Sequence, residues 1–214
     1  MMENIPIING LYAITPDEDN TDELLTKVLG ALDGGVRFLQ YRAKTINEAH
    51  QSLQAEAIKR LCDCYNAQLI INDNIELCLH LDAFGVHLGE YDDTLATARK
   101  ILGPDKMIGV SCYNSMERVK MATINGANYI ALGAFFPTTS KPNAPHVTIE
   151  QYYLAKNLTH LPIVGIGGIT LKNASELISH GVKTLAMINS LFMSDNIQGT
   201  AKQFIKLFEI NEKP

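Results

Sequence analysis

A chain of 214 residues, 46% of them apolar, carries enough material to close a full hydrophobic core, and one domain over residues 1–214 is the expected organisation. Its 18 basic and 23 acidic side chains are mixed along the chain to a formal charge of −5, which argues against a nucleic-acid surface or a polybasic membrane anchor. Small molecules are the expected partners, and a homo-oligomer is compatible with the sequence.

Short runs rich in Ile, Val, Leu and Phe alternate with longer segments of helical spacing. In chain order the predicted strands are GLYAIT (10–15), VRFLQYR (36–42), QLIIND (68–73), GVHLG (85–89), MIGVSC (107–112), YIALGAFF (129–136), PIVGIGG (162–168) and TLAMINS (184–190). Helices are predicted between them over 22–32, 46–65, 115–125 and 173–180, with a last one near 197–210. Thr21, Asn47, Ser115 and Asn173 are the expected N-caps, and Gly34, Gly103, Gly126 and Gly181 stand where helices should stop. Eight alternations predict an α/β fold, a single (β/α)8 TIM barrel, with an open doubly wound sheet as the competing arrangement.

The segment PTTSKPNAPH, residues 137–146, is the long loop of this pattern, and its three prolines oppose regular structure. The cysteines Cys62, Cys64, Cys78 and Cys112 form no CxxC pair, and MMENIPIING has no charged-then-apolar signal pattern, so a reducing cytoplasm is the expected compartment. No apolar run reaches the roughly 20 residues that a bilayer-crossing helix needs.

In such a barrel the carboxyl ends of the strands converge on one mouth, where ligands bind. The second strand brings Gln40, Arg42 and Lys44 there at every second position, and so on one face. The third brings Asn72 and Asp73, Asp92 follows the fourth, and Ser111 ends the fifth. Thr138, Thr139, Ser140 and Lys141 follow the sixth, Gly165, Gly167 and Gly168 end the seventh, and Asn189 and Ser190 end the eighth. Arg42, Lys44 and Lys141 facing Asp73 and Asp92 suit a phosphorylated ligand with Mg²⁺ shared by the two carboxylates. The GIGG run suits a second phosphate held by backbone amides. Taken singly, each feature also has a plain explanation, such as a solvated strand end or a helix cap at Asp73; their agreement around the mouth favours the site. His87 reads as a hydrogen-bonded core residue and Cys112 as a small buried one.

The ordered set QYRAK, IINDN, GVHLGEYD, IGVSC, FFPTTSK, PIVGIGGI and LAMINS resembles the thiamine-phosphate synthase family from Gly10 to Phe192. The resemblance implies an enzyme that joins a pyrimidinylmethyl diphosphate to a thiazole phosphate, with Mg²⁺ and a dissociative mechanism. It implies that Arg42, Lys44, Asn72 and Lys141 hold the diphosphate with Ser111 nearby, that Asp73 and Asp92 bind the metal, and that Gln40 lies beside the pyrimidine. Thr138, Ser140, Gly168, Ile188 and Asn189 would border the thiazole phosphate. The chain departs from the family pattern at Asn189, Tyr113, Ala134 and Glu90-Tyr91. A thiazole tautomerase-like isomerase and a noncatalytic sensor of thiamine intermediates remain the alternatives.

Overall fold

The computed structural model describes residues 8–89, 95–138 and 145–211. Its strands are β1 (Gly10–Ile14), β2 (Phe38–Tyr41), β3 (Gln68–Asn72), β4 (Gly85–Leu88), β5 (Met107–Tyr113), β6 (Tyr129–Leu132), β7 (Ile163–Ile166) and β8 (Thr184–Met187). Each pairs in parallel with its sequence neighbours, and β8 returns to β1 through the Leu11–Leu185 and Tyr12–Ala186 registers, so the sheet closes. The expected (β/α)8 barrel is the fold.

Helices α1 (Thr21–Asp33), α2 (Glu48–Cys64), α3 (Ile75–His80), α4 (Leu95–Leu102), α5 (Met116–Ile124), α6 (Ile149–Leu158) and α7 (Ala174–Ser179) follow β1 to β7 in turn; the short α8 (Asn189–Phe192) and α9 (Ile197–Asn211) follow β8. Strand residues alternate between two cores. Leu11, Leu39, Leu69, Val86, Ile108, Ile130 and Leu185 face outward to the helices, while Tyr12, Phe38, Ile70, Met107, Tyr129, Val164 and Ala186 fill the lumen.

Several element ends differ from the sequence reading. Asn20, not Thr21, caps α1, its side chain accepting from Glu23 N–H, and Thr21 is the first helical residue. Asn47 and Ser115 cap α2 and α5 as expected. Asn173 precedes α7 without a side-chain cap, because its Oδ1 accepts from Thr170 N–H and its Nδ2 donates to Gly168 O. The sixth strand stops at Leu132, and Gly133–Phe136 instead bonds to the tip of β7 and to the chain before α6, through Ala134 to Pro145 O, Phe135 to Ile166 O and Phe136 to Gly167 O. The eighth stops at Met187, which makes Asn189 and Ser190 the opening of α8 rather than strand residues.

Candidate active site at the carboxyl mouth

Strands β1, β2 and β3 deliver a continuous ionic network to the mouth. Asp17, in the loop after β1, accepts from Arg42 Nη1 at 2.5 Å and from the backbone N–H of Lys44. Lys44 Nζ lies 3.1 Å from Asp73 Oδ2, and the same oxygen accepts from Asn72 Nδ2 at 2.6 Å. The side chains remain 20% (Arg42), 29% (Asp17), 49% (Lys44) and 25% (Asp73) exposed, so water and a ligand can reach all four. Pairs this wet contribute about 0–1 kcal/mol each, and a diphosphate oxygen can displace their carboxylate partners at little cost.

Local backbone explains the placement. Asp73 adopts φ +62°, a left-handed conformation that Asp tolerates, and it turns the chain from β3 into α3. The helix cap is Asn74, whose Oδ1 accepts from Leu77 N–H, so the Asp73 carboxylate is not spent on capping. On β2, Phe38 and Gln40 are buried in the lumen, while Arg42 emerges at its rim.

On the opposite wall the Gly167–Gly168 turn sits against the loop after β6. Both residues have positive φ, and a Cβ on Gly168 would stand 2.3 Å from Pro137 O and 2.6 Å from Phe136 O. Glycine is therefore required twice over, by conformation and by close approach. Thr138 is the next residue in the chain after Pro137. Ile188 packs on the lumen core and Asn189 opens α8 beside it.

Ser111 lies on β5, its Oγ 2.9 Å from His87 Nε2. Arg118 fixes the backbone here, donating from Nε and Nη2 to Ser111 O and from Nη2 to Gly89 O, with its guanidinium over the Tyr113 ring. His87 is 7% exposed and hydrogen-bonded through both ring nitrogens, as its sequence context suggested. Burial pushes the Cys112 thiol up to about 12, which leaves it protonated and no nucleophile.

Asp92, Ser140 and Lys141 lie outside the described residues, as does Thr139. The sequence reading passed over Asp17 and Arg118. Asp17 follows the carboxyl end of β1, which is a signal for a mouth residue, but the acidic run PDED offers no way to choose among its carboxylates.

Magnesium is the metal that the sequence reading expects here. Among the described residues no group of three His, Cys, Asp or Glu side chains converges. A sparse donor set built on Asp73, beside cations suited to a diphosphate, fits Mg²⁺, which binds through one or two carboxylates and takes its other ligands from water and phosphate.

Fold and mouth together define a (β/α)8 barrel with a cluster of cations and carboxylates at its carboxyl end. The family model for thiamine monophosphate synthase matches residues 11–191, and the chain belongs to that family. It is 47% identical to a thiamine-phosphate synthase of Methylobacillus flagellatus over 96% of this chain and 98% of that one. With the corresponding enzyme of Nitrosomonas eutropha it shares 44% identity over 94% and 95%. The solved thiamine phosphate pyrophosphorylase from Pyrococcus furiosus superposes with a TM-score of 0.86 at 28% identity, covering 95% of this chain and 97% of that one. 3-Hexulose-6-phosphate synthase, at 13% identity and a TM-score of 0.71, shares the fold alone.

Proposed function

We propose that the chain is a thiamine-phosphate synthase. It would join 4-amino-2-methyl-5-hydroxymethylpyrimidine diphosphate to 4-methyl-5-(2-phosphoethyl)thiazole, forming thiamine phosphate and releasing pyrophosphate. The observation that carries the reading is the exchangeable network of Arg42, Lys44 and Asp73 on adjacent strand tips, within a chain whose family membership spans nearly its full length.

In this reading Arg42, Lys44, Asn72 and Lys141 grip the diphosphate, and Asp17 and Asp73 give up their cation partners as it enters. The methylene C–O bond breaks with its electron pair leaving on pyrophosphate. The thiazole nitrogen then donates its lone pair to the pyrimidinylmethyl cation to make the new C–N bond. Positive side chains fixed in advance around the departing oxygens lower the barrier, and no protein nucleophile is required. Asp73 and Asp92 would hold Mg²⁺, which supplies further positive charge to the leaving group when bound. Gln40 supports the pyrimidine from the lumen. Ser111 lies near the diphosphate, and Thr138, Ser140, Gly168, Ile188 and Asn189 border the thiazole phosphate.

The four cysteines are free thiols, consistent with the cytoplasm as the working compartment, and no helix among the described residues is long and apolar enough to cross a membrane. The test is direct: incubate purified protein with both substrates and Mg²⁺ and measure thiamine phosphate and pyrophosphate. Equimolar products support the synthase. Metal-independent thiazole isomerisation without coupling would replace it with the isomerase reading, and tight binding without turnover with the sensor reading.

A further inference from the structure

Five polar side chains form a hydrogen-bonded row across the barrel lumen, and ionic chemistry at the mouth does not account for it. Gln40 Nε2 donates to Tyr12 Oη at 2.7 Å, Tyr12 Oη is 3.0 Å from Tyr129 Oη, Tyr129 Oη is 2.9 Å from His87 Nδ1, and His87 Nε2 is 2.9 Å from Ser111 Oγ. The row runs through β2, β1, β6, β4 and β5, and it joins the residue assigned to the pyrimidine to the one assigned beside the diphosphate.

Space for it is built into the sheet. A Cβ on Gly109 would stand 2.0 Å from Tyr129 Cζ and 2.4 Å from its hydroxyl oxygen, so the phenol occupies room that only glycine leaves. The Tyr129 ring stacks on His87 with centroids 5.5 Å apart and meets Tyr12 edge-on at 6.1 Å. Burial pushes the pKa of both phenols up, so each keeps its single proton.

Donor counting then sets a direction. Tyr12 accepts from Gln40 and passes its own proton to Tyr129. With a neutral imidazole and the Gln40 amide as it stands, Tyr129 passes its proton to a bare His87 Nδ1, and the imidazole proton on Nε2 is donated to Ser111 Oγ. Ser111 is left to donate away from His87. If the Gln40 amide turned over, all five members would reverse and Ser111 would donate to His87 instead. A mismatch at any joint leaves a buried hydrogen bond unmade.

We propose that Tyr12, Tyr129 and His87 are positioning residues that couple the Gln40 amide to the Ser111 hydroxyl, making the enzyme select an amino-bearing over an oxo-bearing pyrimidine diphosphate. The proposal rests on the synthase reading of the mouth. An amino group donates to Gln40 Oε1 and holds the row with Ser111 as donor toward the substrate. An oxo group requires the opposite amide face and turns the Ser111 proton away.

The experiment has two arms. In the first, ¹⁵N NMR of the full chain labelled at histidine, with His87→Gln identifying the signal, reads the imidazole tautomer without substrate. A proton on Nε2 with bare Nδ1 is expected, and the opposite tautomer overturns the proposal. In the second, Tyr129→Phe keeps the ring and removes the hydroxyl, with Tyr12→Phe in parallel to break another joint if the first variant does not fold. The expected result is a mixed His87 tautomer, a fall in kcat of about tenfold with little change in KM for the diphosphate, and a lost preference for the amino over the oxo compound. An unshifted tautomer with unchanged kcat and selectivity in a folded variant overturns it. A wild-type chain that makes no thiamine phosphate sinks the synthase reading instead, while the tautomer arm still decides whether the row is polarised.

Discussion

Arg42 and Arg99 carry the same side chain to opposite ends of the barrel and meet different partners. Arg99, late in α4, donates to Gly103 O and Lys106 O at 2.8 Å, to Gly126 O at 3.2 Å and to Asn128 Oδ1 at 2.6 Å, tying two helix-to-strand loops together. Arg42 faces one carboxylate at the rim. Backbone carbonyls cannot leave, so a cation bonded to them is a structural clamp. A partly exposed carboxylate can be displaced by a phosphate, so a cation bonded to it is held ready. Arg118 shows that position alone does not decide: it lies at the mouth, yet it bonds the carbonyls of Ser111 and Gly89 in the manner of the floor.

Substitution should separate the two uses. Arg42→Ala carries the largest expected effect, a loss of about 10²- to 10³-fold in turnover, the range seen when one stabilising donor is removed from a developing negative charge. Its thermal midpoint should hold within a few degrees, because the Asp17 pair is worth little. Steady-state kinetics beside a melting curve checks both, and a collapse of stability with normal specific activity would move Arg42 to the clamp class. Arg99→Ala is the mirror image. Carbonyls left without their donor should cost about 2–3 kcal/mol in urea unfolding, while kcat per folded molecule stays at the wild-type level.

Asp17→Asn sharpens the comparison further. The amide keeps its shape and an acceptor for Lys44 N–H but gives up the charge opposite Arg42. With less competition for Arg42, KM for the diphosphate should fall or stay level. If orientation of Arg42 matters more, kcat should drop by up to about tenfold, the scale of one charge-assisted bond. A rise in KM with unchanged kcat would mean that Asp17 itself recruits the substrate.

The floor and the mouth were not equally legible in the sequence. Apolar runs such as QLII and YIAL predict buried parallel strands because both faces of each are covered, and all eight strands follow from that pattern. Ends were harder. GAFF reads as strand from composition, yet Ala134 and Phe136 spend their N–H groups on Pro145 O and Gly167 O rather than on the sheet ladder. Asn189 reads as a strand tip because nothing local marks the turn into α8. At the mouth, Arg42, Lys44, Asn72 and Asp73 were readable since the period of two and the barrel rule place them together. Asp17 was not, lying in a loop without periodicity. The lumen row was invisible for another reason: Tyr12 and Tyr129 stand 117 positions apart, and neither looks unlike an ordinary strand tyrosine until the barrel closes.

The smallest effect is expected at the floor, and it tests whether a fixed cation there acts through charge. Lys106 Nζ bonds Asp82 Oδ1 and, at 2.8 Å, Ala83 O. Its hydrogen bond first, and its charge second, hold the Asp82 carboxyl below the usual value. A depressed folded value means that the unfolded chain binds this proton more readily. The pair therefore contributes stability above the unfolded carboxyl value of about 4, and that contribution is lost as pH falls through the lower folded value. Asp82 is 89% exposed on its side chain, so solvent screening limits the gain to a few tenths of a kcal/mol, about 1 °C in melting temperature. Asp82→Asn suits the test because asparagine also accepts the φ of +48° found there. Melting curves should show the variant slightly less stable at pH 7 and indistinguishable from wild type once pH is below the folded value, with coupling activity unaltered. A deficit that persists unchanged in acid would trace the effect to geometry rather than charge.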